Sequence, residues 1–329
     1  MAKVVRFHET GGPDVLRLED VDIPAPGPGE VHLAIDAIGV NRAEAAFRGG
    51  HYIIKPTPPS VLGSEAVGRV LSTGPGVEDL AARDRVLVLP LSMQGQYGLY
   101  ASEVTIPAGS LTKLPPDVDP VQQAATWVAF LTAWGGLRDA GRLQAGQFVI
   151  LPAASSSVGL AAIQIARDIG AIPIAATRSG DKAQALLDAG AAHVVATAEQ
   201  DLPAEIRRIT DGRGVPLIFD PVAGPYAATL FGCLAEEGQL IIYGGLANQP
   251  STFPRHLAIR SNLTMRGYNF FGLLRDKTRF QAAYDAIVAG VRDGRFKMPI
   301  DATFPLADVV EAHRHLEANQ QVGKVVLVV

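Results

Sequence analysis

A chain of 329 residues is long enough for two domains of ~150 each, and at 48% hydrophobic and 19% charged it fills a sizeable core rather than staying disordered. Its net charge of −4, with no basic block, leaves no electrostatic footprint for nucleic acid, and no apolar run reaches the ~18 residues of a membrane span. The one cysteine, Cys233, excludes an internal disulfide framework, and with no signal-peptide pattern at the N-terminus the expected setting is a reducing cytoplasm.

Residues 1–115 read as strands and turns. KVVRF, VLRLEDV and EVHLAIDAIGV are rich in β-branched residues, with Pro24 to Gly29 as punctuation. EAVGRVL, RVLVL and SEVTIP continue the pattern, which predicts an antiparallel, partly open β-barrel. From about residue 119 the period changes. Val121, Ala124, Ala125, Val128, Leu131 and Thr132 predict a helix that leads into the next domain.

The stretch 146–170 organises the rest. The apolar run Phe148 to Leu151 suits a buried strand, and a loop of small residues, Ala153 to Ser157, follows. Val158, Ala161, Ala162, Ile165 and Ala166 then recur at helical spacing up to Gly170, a C′ residue. Strand, tight turn and helix open a dinucleotide-binding βαβ unit, in which free N–H groups at the helix start face a pyrophosphate. Against G-x-G-x-x-G the three positions hold Ala154, Ser156 and Gly159, so only the helix-packing glycine is kept. The Ser155, Ser156 and Ser157 hydroxyls and the backbone through Val158 are the candidate phosphate ligands.

Strands alternate with helices up to about residue 268, which implies a parallel, doubly wound sheet. Strands are expected at 171–177, 193–197, 216–220, 239–244 and 263–268. Helices are expected at 182–189, 204–210 and 226–235, the last carrying Cys233, read as structural. Residues 276–293 and 306–319 read as amphipathic helices and 324–329 as a final strand returning to the first domain. The expected division is 1–120 completed by 269–329, and 121–268. At the end of the second strand of the unit an acid selects a ribose 2′-OH, whereas a cation accommodates a 2′-phosphate. Here the strand ends Thr177-Arg178-Ser179, with Lys182 beyond and no acid before Asp181, which points to NADPH.

Several ordered motifs now resemble one family along essentially the whole chain. They are Gly39-Val-Asn41, Leu62-Gly-Ser64-Glu65-Ala-Val-Gly68, Asp84-Arg85-Val86, Leu131-Thr132-Ala-Trp134, the phosphate loop and Tyr243-Gly244-Gly245. They are similar to the medium-chain dehydrogenase/reductases, and among these to the zinc-free quinone oxidoreductases of the zeta-crystallin type. Tyr243 to Pro250 also resembles the mitochondrial-type enoyl thioester reductases. The resemblance implies a GroES-like barrel domain beside a Rossmann domain. Arg83 and the Ser156-Ser157 pair depart from the family's glycines.

The zinc enzymes of this family place a cysteine, a histidine and a cysteine where this chain holds Asn41, Ser64 and Val128, so no metal is expected. His313 and His315, two apart, point to different sides of a helix. What remains is hydride delivery from NADPH to an electron-poor carbon, with a donor needed at the carbonyl oxygen. By resemblance the catalytic candidates are Tyr52, as proton donor, and Asn41, at the vacated metal position. Thr132, Tyr243, Gly244 and Gly245 are expected at the cofactor, and Phe270 and Phe271 wall the nicotinamide, Phe271 also touching substrate. The expected cleft between the domains holds nicotinamide near Thr132, with Asn41 and Tyr52 binding the substrate oxygen. Three readings stay open: a quinone or enone reductase, an enoyl thioester reductase, and an NADPH-binding structural or regulatory protein with little turnover. The resemblance also implies a homodimer, paired through 239–268.

Overall fold

The computed structural model describes residues 1–89, 95 and 97–329. The chain opens with β1 (Ala2–Phe7), β2 (Leu16–Val21) and β3 (Glu30–Val40), then α1 (Arg42–Arg48). β4 (Ser60–Val61), β5 (Ala66–Thr73), β6 (Arg85–Val88), β7 (Glu103–Pro107) and β8 (Leu111–Lys113) lead to α2 (Pro120–Trp134). An alternating region follows: β9 (Phe148–Leu151), α3 (Ser157–Ile169), β10 (Ile172–Thr177), α4 (Ala183–Asp188), β11 (His193–Ala196) and α5 (Leu202–Ile209). It continues through β12 (Val215–Asp220), α6 (Tyr226–Phe231), β13 (Leu234–Ile242), α7 (Arg255–Ser261) and β14 (Thr264–Gly267). The tail is α8 (Phe271–Arg275), α9 (Lys277–Arg292), β15 (Ile300–Pro305), α10 (Val309–Glu317) and β16 (Lys324–Val328). No helix among the described residues is long and apolar enough to cross a membrane.

Two compact units result, Met1–Val128 with Met298–Val329, and Ala129–Lys297. In the first, one sheet runs β15-β16-β3-β5-β6-β8 with β7 also on β3, and a second runs β2-β1-β4. β3 is its spine. Val31, Leu33 and Ile35 alternate inward, and a register shift between Ile35 and Ala37 lets Ile38 and Val40 stay buried as well. These side chains close on Phe7, Phe47, Leu316, Val325 and Leu327, so the tail completes the core. Buried Arg48 anchors α10 by donating to His313 Nδ1 at 2.9 Å and Glu317 at 2.7 Å, and ties in the loop after β1 by donating to Gly11 O at 3.0 Å. Arg83, standing where glycine is expected, holds φ +76°, the left-handed backbone that accounts for a glycine there.

In the second unit all strands are parallel in the order β11-β10-β9-β12-β13-β14, the doubly wound arrangement that starts from a central strand. The apolar run 148–151 is that central strand. The returning tail begins at residue 298 rather than at 269. Phe296 stacks on Phe130 at 5.1 Å, and Gln164 bonds Lys297 through both its amide groups, at 2.7 and 3.0 Å, which holds 269–297 in the second unit. α6 stops at Phe231 and β13 begins at Leu234, because Leu234 pairs with Val215 ahead of a register shift. Cys233 therefore lies in the connection, not in the helix. Burial there pushes its thiol up to about 12, which makes it unreactive. α1, α7 and α8 are too short, at five to seven residues, to show a helical period in sequence.

Candidate active site

In the second unit the turn after β9 and the start of α3 form a cradle. Ser156 is the N-cap, its hydroxyl accepting the Gly159 N–H at 3.1 Å. Serine thus takes the middle fingerprint position because it satisfies the helix end. Gly159 is required where it stands: a Cβ there would lie 2.5 Å from Ala154 O. Ala154 is buried, and its N–H donates to Ala176 O at 3.2 Å, so it serves as backbone rather than as an exposed contact. Ser155 in the loop, and Ser157 and Val158 on the first turn, remain where helix N–H groups and the helix dipole favour an anion. Lys182 Nζ reaches the cradle and donates to Ser155 Oγ at 3.3 Å.

The end of β10 presents Arg178 to solvent beside Ser179. Two carboxylates also lie here: Ser179 Oγ donates to Asp181 at 3.1 Å and Gly180 N–H to Glu199 at 2.9 Å. Thr177 is buried at the strand end. After β13, Tyr243 stacks on Phe219 at 4.0 Å and its hydroxyl bonds Ser156. Burial, with Asp220 nearby, pushes the Tyr243 phenol well up, so it stays protonated. Asp220 accepts from Val222 N–H at 2.8 Å and Ala223 N–H at 2.9 Å, which shapes the loop whose Pro221 faces Gly244; Gly245 beside it borders open space. Phe270 and Phe271 stack at 4.9 Å and are half-buried, and Thr132 is buried near the end of α2.

The first unit carries a buried polar cluster where β3 runs into α1. Asn41, 8% exposed, has both amide hydrogens engaged, to Gly39 O at 3.2 Å and Glu65 Oε1 at 3.0 Å. Its Oδ1 accepts from Lys324 Nζ at 2.6 Å, and Lys324 is ion-paired to Glu65 in full burial. Glu65 Oε2 takes the Val128 N–H at 2.8 Å. Gly39 permits this packing, since a Cβ there would meet Ala124 O at 2.2 Å. Beside it, Glu44 is wholly buried. Its Oε2 accepts the Asn41 N–H, half of a capping box, and the Tyr100 hydroxyl at 3.3 Å, while its Oε1 accepts the Ser64 hydroxyl at 2.7 Å. Tyr52 is half-buried in the same unit. Burial and then the Glu44 charge raise its phenol to about 12.

Family comparisons agree with this layout. Residues 27–116 match the alcohol dehydrogenase GroES-like domain and residues 157–289 the zinc-binding dehydrogenase model. A 2-haloacrylate reductase from Burkholderia is 30% identical over 99% of this chain and 98% of its own length. A quinone oxidoreductase from Pseudomonas aeruginosa is 30% identical over 99% of both chains. The crystal structure of Escherichia coli quinone oxidoreductase complexed with NADPH superposes with a TM-score of 0.93 over 100% of both chains, at 28% identity. The chain belongs to the medium-chain dehydrogenase/reductase family. It is an oxidoreductase with the GroES-like and Rossmann architecture of the quinone oxidoreductases.

Within that family frame, the structure places Asn41 and Ser64 among polar partners and Val128 at a backbone contact. Among the described residues no group of three or more His, Cys, Asp or Glu side chains is arranged to hold a metal ion. Sequence reasoning missed Glu44, Glu65, Tyr100 and Lys324 as members of the cluster. Glu65 sat inside a quoted motif, and Asn41 three residues before Glu44 was the capping-box signal. Lys324 and Tyr100 had no local signal, because their contacts span long stretches of chain.

Proposed function

We propose that this protein is an NADPH-dependent, zinc-independent reductase of quinones or other conjugated carbonyls. The observation that supports the zinc-independent part is the donor set: the Asn41 amide is engaged by Glu65 and the Lys324 ammonium, Ser64 is bonded to Glu44, and Val128 offers no side-chain ligand. Stoichiometric metal analysis is expected to find no zinc, and chelators to leave turnover unchanged; zinc at one per chain with chelator sensitivity would refute this.

The cradle fits a dinucleotide. The N-terminal N–H groups of α3, with Ser155 and Ser157, would hold the pyrophosphate, and Arg178 and Lys182 the 2′-phosphate. Tyr243, Gly244 and Gly245 would border the cofactor, and Thr132, Phe270 and Phe271 its nicotinamide end. When bound, NADPH supplies the hydride. Asn41, with both amide hydrogens engaged, acts as a positioning residue that clamps the Lys324–Glu65 pair, and Tyr52, protonated at neutral pH, would donate a hydrogen bond toward the carbonyl oxygen. Relatives named quinone oxidoreductase and 2-haloacrylate reductase support a conjugated acceptor. The test is NADPH consumption with a panel of quinones, enones and enoyl thioesters. Turnover on a conjugated acceptor is expected, and its absence alongside tight NADPH binding would leave a nucleotide-binding protein.

The reading extends to a homodimer in the cytoplasm. β14 is an edge strand of the parallel sheet, and the segment before it exposes Phe253 (48%) and Ile259 (70%). Pairing of this edge across a two-fold axis would cover them. Sedimentation at micromolar concentration is expected to give a dimer, and a monomer there would count against it.

A further inference from the structure

We propose that Ser64 and Glu44 form a proton relay, in which the Ser64 hydroxyl donates to the substrate oxygen and Glu44 replaces that proton. The proposal deepens the reductase reading and rests on it. Ser64 is partly exposed, whereas its neighbours Leu62 and Glu65 are buried, and it reaches Glu44 Oε1 at 2.7 Å. Oε2 of Glu44 already takes the Asn41 N–H and the Tyr100 hydroxyl, so a proton on this carboxyl belongs on Oε1, against Ser64.

A serine has a single hydroxyl hydrogen. When Glu44 is ionised, that hydrogen points at Oε1. When Glu44 is protonated, its O–H donates to Ser64 Oγ and the serine hydrogen turns outward. Each reduction of a conjugated carbonyl takes up one proton with its hydride. The Ser64 O–H bond breaks as the bond to substrate oxygen forms, and the Glu44 proton passes to Ser64 Oγ. Glu44 is left a carboxylate and regains a proton from solvent through Ser64 once product has gone.

The groups facing Glu44 decide where this switch operates. Burial raises the carboxyl to about 7, with Glu65 acting in the same direction; the Ser64 hydroxyl, the Lys324 ammonium and the Asn41 N–H pull it down. Tyr100 and Tyr52 face it as neutral phenols, both raised by burial and by its charge. Arg48 faces Tyr100, and His313, stacked edge-on to Tyr100, is held neutral by burial and the flanking arginines, its imidazole lowered to about 3.

The experiment measures kcat/KM against pH for wild type, E44Q, S64A and S64T. Wild-type kcat/KM is expected to fall as pH rises through about 7. E44Q, whose amide donates to Ser64 at every pH, is expected to lose that fall. S64A is expected to lower the acid-side value on the order of 10²-fold, and S64T to restore it. An infrared pH titration of the cofactor-free protein reads the pair without turnover. The protonated-carboxyl band disappears in E44Q and titrates at higher pH in S64A, because the ionised form loses a donor. An unchanged pH profile in E44Q, or an unshifted carboxyl titration in S64A, overturns the relay. If the wild type reduces no conjugated acceptor, the reductase reading falls on its own, and the infrared titration still decides whether the two groups are coupled.

Discussion

Arg178→Ala is expected to weaken NADPH binding by about 10- to 100-fold and to leave NADH binding near its wild-type value. A charge-assisted contact to a phosphate contributes roughly 1.5–3 kcal/mol, and about 1.4 kcal/mol is tenfold in affinity. Arg178 stands exposed at the end of β10, in the place where an acid would select the unphosphorylated ribose. Its guanidinium has the planar fork that suits phosphate, whereas Lys182, already reaching Ser155, offers a point charge. The nearby Asp181 and Glu199 sharpen the expectation, because without Arg178 the balance beside a 2′-phosphate turns from neutral to negative. The contact is exposed, so the effect is expected to shrink as salt rises toward molar ionic strength. Dissociation constants for both cofactors, in wild type and variant at two salt concentrations, check this. Equal constants for NADPH and NADH in the wild type would remove the assignment.

The second unit was the more legible in sequence, for a physical reason. A parallel sheet is buried on both faces, so its strands appear as apolar runs such as 148–151 and 172–177, and α3 between those two runs, at 13 residues, is long enough to show its period. α3 announced itself by a serine cap, a repeating apolar face and Gly170 at φ +83°. Where that logic fails, the fold departs from expectation. α6 was cut short by strand pairing at Leu234, and the tail crossed between units at 298 because of packing at Phe296 and Lys297, contacts that no local pattern records.

The polar cluster of the first unit shows the same limit. Asn41 and Glu44 are neighbours on one turn and carry a local capping signature. Lys324 meets them from the far end of the chain through β16, which pairs with β3 at Val325 and Val40. Only the sheet register brings that ammonium to Asn41. The ammonium takes the amide oxygen, while Glu65 and Gly39 O take the amide hydrogens, so the asparagine that reads in sequence as a donor for substrate has its donors and its acceptor engaged within the cluster.

Tyr52→Phe is expected to reduce kcat/KM for enones and enoyl thioesters by up to about 10²–10³-fold, and for quinones by much less. The upper figure is that for removing one positioned donor from developing charge. Tyr52 keeps its proton at neutral pH, since burial and the Glu44 charge raise the phenol to about 12, so it would meet a carbonyl oxygen as a hydrogen-bond donor throughout the working range. The difference between substrates follows from the product of hydride addition. A quinone becomes an aromatic hydroquinone anion, which water protonates readily and which needs little help. An enone or a thioester becomes a more basic enolate, whose charge grows on one oxygen and gains more from a fixed donor. The loss should appear in kcat more than in KM, since the contact strengthens only as charge develops. Because Tyr52 is half-buried, phenylalanine keeps its packing, and the comparison isolates the hydroxyl. Steady-state kinetics on both substrate types decide the matter: an unchanged kcat/KM for every acceptor would make Tyr52 a packing residue and leave Ser64 as the donor to test.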